Sequence, residues 1–87
     1  MIVVDLFSGG ECGLCDDARE ILKSVQRDIP FQLREILLLP DNPHYEEYRD
    51  HIPVIHVNGS RSFRHRIPEE SFRKQLLALT AKEHTRS

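Results

Sequence analysis

The sequence is short of most features that announce a function. The apolar start, Ile2 to Phe7, is far below the ~20 residues a bilayer needs, and Asp5 interrupts it. It also lacks the basic lead and long apolar body of a signal peptide, so the chain is expected in the cytosol, where thiols stay reduced. There is no excess of one charge: 12 Lys and Arg stand against 14 Asp and Glu, net -2, which leaves no basic footprint for nucleic acid. Arg61, Arg64 and Arg66 do gather, but Glu69 and Glu70 follow at once; the run reads as a solvated strand edge. Cysteine is scarce. Two residues, Cys12 and Cys15, cannot make a disulfide framework. No repeat, linker or low-complexity segment divides the 87 residues, so one small domain is expected over 1–80, with a polar tail, 81–87, that frays.

What remains is a regular alternation of elements. Residues 2–7, IVVDLF, are β-branched and apolar, as in a strand buried on both faces. Leu14, Ala18, Ile21, Leu22 and Val25 then form one helical stripe, with Asp16 and Asp17 in the first turn and Lys23 and Arg27 toward the end. Asp28-Ile29-Pro30 ends that helix. Residues 31–38 read as a second strand whose alternation breaks at Glu35-Ile36. Asn42-Pro43 has the cap and first-position signature of a short helix over 43–50, with Tyr45 and Tyr48 on one side. Residues 53–66 form a hairpin around Asn58-Gly59. Pro68 opens a last helix carrying Phe72, Leu76 and Leu79. The order is βαβαββα. A helix between the first two strands makes them parallel, and the tight turn makes the last two antiparallel. The expected fold is α/β, one mixed four-stranded sheet flanked by helices.

The cysteines sit in GGECGLCDDAREIL, residues 9–22, at the head of the first helix. Residues three apart on a helix have Cβ atoms ~5–6 Å apart, and a disulfide needs Cα atoms roughly 4.4–6.8 Å apart, so this spacing can close a bond. Free N–H groups and partial positive charge at a helix start favour thiolate, the nucleophilic form. Cys12, at the exposed end, is placed to attack, and Cys15, a turn further in, to resolve the mixed disulfide. Glu11, Asp16 and Asp17 oppose this with negative charge. Two other readings stand beside it. The pair could be inert buried thiols, or half of a zinc site. There is no second CxxC, however, and the only histidines at a ligand interval, His51 and His56, straddle a strand start that would point them apart. CxxC beside a β-α-β pattern favours the redox reading.

The stretch LFSGGECGLCDDA, the run IPVIHVNG and the strand order together resemble the thioredoxin fold in its short form, that of the glutaredoxins. Across nearly the whole chain they are most similar to the uncharacterised glutaredoxin-like proteins. The resemblance implies a small thiol–disulfide oxidoreductase whose catalytic residues and redox disulfide are Cys12 and Cys15. It implies a cis peptide bond before Pro53, which lies against the CxxC, and a substrate segment held by the Ile52 backbone, Pro53, Gly13 and Leu14. From the residues alone, Pro53 could instead be a trans proline opening an edge strand.

Two family features are missing. DLFSGGE, residues 5–11, has no basic residue to meet a glutathione carboxylate, and HRIPEE, 65–70, stands where a Gly-Gly and an acidic partner hold the glutathione amine. No tightly bound cofactor or metal is expected. Electrons would come from glutathione or a thioredoxin-type reductant, with glutathione held weakly. The expected partners of this monomer are protein disulfides or glutathione mixed disulfides, with no nucleic acid and no membrane. The competing functions are a thioredoxin-fold module that binds peptides without turnover, and a metal or iron–sulfur carrier using Cys12.

Overall fold

The structure is a computed structural model describing residues 1–10 and 12–85, the last three as backbone only. Its elements are β1 (Val3–Ser8), α1 (Gly13–Asp28), β2 (Gln32–Leu37), α2 (Tyr45–Tyr48), β3 (Val54–Val57), β4 (Ser60–Arg64) and α3 (Glu69–Thr85). They build one mixed sheet in the order β2-β1-β3-β4, with β1 parallel to β2 and the other pairings antiparallel. This is the βαβαββα arrangement of the thioredoxin fold.

Strand alternation sorts β1 and β3 onto two faces. Val4 and Leu6, with Ile55 and Val57, face a core completed by Ala18, Leu22 and Val25 of α1 and by Phe72 and Leu76 of α3. Phe7 and Val54 face the other way, onto Tyr48 of α2 and Leu38. Asp5 lies on that second face, only 5% exposed. The interior of the sheet tolerates its carboxylate because Arg34, opposite it on β2, grips both oxygens at 2.6 and 3.0 Å.

One expected irregularity finds its cause, and two expectations change in detail. The interrupted alternation of β2 has a physical reason. β2 is an edge strand, with Leu33 turned to the α1–α3 core, Ile36 to the α2 cluster, and Glu35 to a salt bridge on α1. The second helix is shorter than 43–50. Asn42 accepts the His44 N–H through its side chain and the Tyr45 N–H through its carbonyl, so the segment enters through a tight turn and becomes α-helical only at Tyr45. The last helix extends past residue 80, into the segment expected as a polar tail. It runs to Thr85, and the Thr80 hydroxyl donates to Leu76 O at 2.9 Å; Arg86 and Ser87 lie outside the described residues. The hairpin turns on Asn58 and Gly59, both at positive φ (51° and 85°), as an Asn-Gly turn requires.

Candidate active site

β1 delivers the chain to Ser8 and then Gly9. A Cβ on Gly9 would come within 2.6 Å of the Ile52 Cδ1, so the tip of the Ile52 side chain packs directly on the loop that leads to Cys12 and would have to shift for any larger residue. Cys12 is the N-cap of α1, with extended backbone (φ -150°, ψ 103°). Its carbonyl accepts the Asp16 N–H, and its Sγ accepts the Cys15 N–H at 3.2 Å. A sulfur thus occupies the capping role usually taken by a serine, threonine or aspartate oxygen. Cys12 and Cys15 are joined as a disulfide, with Cα atoms 5.1 Å apart. Cys12 is half-buried, whereas Cys15 is 1% exposed and turned into the interior beside Ala18.

The charge around the pair differs from the sequence expectation. Asp16 is met by Arg19 at 2.7 Å, and Arg19 also donates to both oxygens of Glu35 at 2.8 and 2.7 Å. The Ser8 hydroxyl donates to Glu35 at 3.3 Å. These contacts hold the Arg19 guanidinium firmly charged, and the Arg19 hydrogen bonds hold the Glu35 carboxyl below the usual carboxylate range against the opposing effect of burial. Asp16 thus shares one arginine with Glu35 and stays exposed, as does Asp17, which has no ion-pair partner among the described residues. Glu11 lies outside the described residues. Ser8, Arg19 and Glu35 were not readable as one unit. Asp16 and Arg19 stand at helix-pair spacing, but Glu35 joins them only once β2 is laid beside β1.

Pro53 is fully buried and follows a cis peptide bond; Ile52 beside it is half-buried. The Pro53 carbonyl accepts the His65 N–H at 2.8 Å, and the His51 carbonyl accepts it at 3.2 Å. His65 stands at φ 65°, a conformation histidine adopts more readily than most residues, and nothing in SRSFRHR marks it in advance. Its ring meets that of His51 at 3.2 Å between Nε2 and Nδ1. His56 turns instead to the Tyr48 hydroxyl, 2.8 Å away, and burial pushes its pKa down. His51 and His56 therefore point to separate partners. Among the described residues no group of three or more His, Cys, Asp or Glu could hold a metal ion.

The structure thus brings the loop before Cys12, the disulfide and the 52–53 segment to one end of the sheet. Gly13 is exposed at the first turn of α1. Leu14 is half-buried rather than part of the core; it borders a groove of about 940 Å³ that runs along α1 to the segment between β4 and α3.

This geometry defines a small thioredoxin-fold domain with a disulfide-capable CxxC at the start of its first helix. The chain belongs to the glutaredoxin-like domain family (DUF836), whose model matches residues 3–77. Its fold is similar to that of a thioredoxin-like protein from Bacillus cereus, with 18% identity over 90% of this chain and 87% of that one, and a TM-score of 0.62.

Proposed function

We propose that this protein is a thiol–disulfide oxidoreductase that reduces protein or glutathione mixed disulfides. The observation that carries the reading is the asymmetry of the pair: Cys12 half-exposed at the helix cap, Cys15 buried one turn behind it. In the dithiol form, the Cys15 N–H that now meets the Cys12 sulfur is a donor suited to a thiolate there. The Cys12 thiolate attacks one sulfur of the substrate disulfide, forming a mixed disulfide and expelling the first substrate thiolate. Cys15, as thiolate, then attacks the Cys12 sulfur, breaking the mixed disulfide and releasing the second. The substrate gains two electrons and the protein is left as the Cys12–Cys15 disulfide, which an external dithiol or two monothiols reduce again. Gly13, Leu14 and the Ile52 backbone are assigned to holding the substrate, with the buried Pro53 setting the course of the 52–53 segment. A reducing compartment such as the cytosol suits this cycle, in which the disulfide is a state of turnover rather than a permanent staple.

The test is trapping. Cys12→Ser abolishes disulfide reduction, whereas Cys15→Ser still attacks and accumulates a mixed disulfide on Cys12, seen by mass spectrometry. Equal trapping on Cys15 in the Cys12→Ser variant reverses the assignment. Absence of any reduction by the wild type leaves a binding module instead.

A further inference from the structure

The groove beside Leu14 is not used by the chemistry above. Its floor is apolar: Leu14 and Ile21 from α1, Ile67 and Pro68 from the segment before α3. It begins at Leu14, which lies between the two cysteines in sequence, although neither cysteine lines it. Its far side is tied to the site as well, because His65, which also lines it, is hydrogen-bonded to the Pro53 carbonyl. A substrate segment that extends past Leu14 from the attacked sulfur would enter it. Its walls are charged unequally. Asp16 shares Arg19 with Glu35, whereas Asp17 and Glu20 stand exposed along the α1 wall, and among the described residues neither side chain has a partner. Across from them, Arg66 is the one arginine or lysine of the lining. Two unpaired anions thus face one cation.

We infer that this groove is the specificity site for the residues flanking the substrate's cysteine, and that it selects an extended peptide with an aliphatic side chain beside at least one lysine or arginine. The inference rests on the oxidoreductase reading and names its substrate class. The aliphatic side chain displaces water from Leu14, Ile21 and Ile67; the basic side chain meets Asp17 and Glu20. Rim charges of this kind act chiefly on encounter and partner choice, so the selectivity is salt-sensitive.

The experiment is single-turnover reduction by the dithiol protein of two synthetic peptide disulfides that differ only in flank, leucine–lysine or leucine–glutamate, with hydroxyethyl disulfide as a small third substrate. At low salt the lysine peptide is reduced about tenfold faster than the glutamate peptide, and high salt erodes the ratio. The double variant Asp17→Lys, Glu20→Lys reverses the preference; both positions are exposed on α1, so the fold tolerates the exchange. Equal rates for the two peptides in the wild type, or a preference unchanged in the double variant, overturns the groove assignment while hydroxyethyl disulfide is still reduced. No reduction of any of the three defeats the oxidoreductase reading itself.

Discussion

Glu35→Gln tests whether the ion-pair chain at the head of α1 ties the disulfide helix to the sheet. The substitution keeps the shape of the side chain and removes its charge. Arg19 then loses the carboxylate it grips at 2.8 and 2.7 Å and keeps only Asp16. The Arg19 and Glu35 side chains are 28% and 40% exposed, so water screens the pair. Exposed pairs contribute ~0.2–1 kcal/mol. The two-pronged grip and the Ser8 hydroxyl place this one near the top of that range, about 1 kcal/mol, which for a domain of this size lowers the melting temperature by roughly 4–8 °C. The pH dependence is the sharper signature. Arg19 depresses the Glu35 pKa in the folded state. A depressed carboxyl stabilises the fold fully above its unfolded value and loses that contribution as pH falls through the lower, folded value. The wild type should therefore exceed the variant at neutral pH, and the gap should close in acid, below the ordinary carboxylate range. Urea melts of both oxidised proteins, at neutral pH and in acid, measure it. Equal midpoints at neutral pH, or a gap that persists undiminished in acid, would refute the reasoning.

Much of the architecture is written locally. The stripe of α1, the Asn58-Gly59 turn and the buried run of β1 each announce their element through periodicity or turn chemistry, and the element order then leaves few topologies. The position of the cysteine pair follows from the same pattern, because a buried strand must end where its helix begins. Other features depend on contacts between distant residues. Leu14 belongs to the apolar spacing of α1, yet it borders the groove while Cys15 takes the interior place. Glu35 reads as a fault in a strand until Arg19 and Ser8 are beside it. The left-handed turn at His65 exists because its N–H reaches two carbonyls on another segment, at His51 and Pro53, and no property of residues 61–66 encodes that.

Leu22→Ala removes a side chain that is fully buried between sheet and α3, and should cost 2–5 kcal/mol, roughly the range for a core leucine, read from a denaturant midpoint; a loss below ~1 kcal/mol would mean that this core is loosely filled. Burial lowers the His56 pKa, so the fold is stabilised by this group above the unfolded value of ~6.5 and loses that part as pH falls; His56→Gln, which can still hydrogen-bond Tyr48, should flatten the acid side of the stability curve, and an unaltered slope would remove His56 as its source. Glutathione should be a poor electron donor. Residues 5–11 offer its carboxylates no cation, and the loss of a charge-assisted hydrogen bond of ~1.5–3 kcal/mol weakens binding by roughly one to two powers of ten. The α1 wall adds to this, because the exposed Asp17 and Glu20 repel a tripeptide of net negative charge. Arg64, exposed on the edge strand β4, faces solvent; Arg66 alone among the basic run borders the groove, one cation against those two acids. The hydroxyethyl-disulfide assay should therefore run slowly on glutathione and faster on dithiothreitol or a thioredoxin system. Saturable glutathione turnover at the level of ordinary glutaredoxins would show that the missing cation is not needed, and its loss in Arg66→Ala would show that Arg66 overcomes the acidic wall and holds the tripeptide.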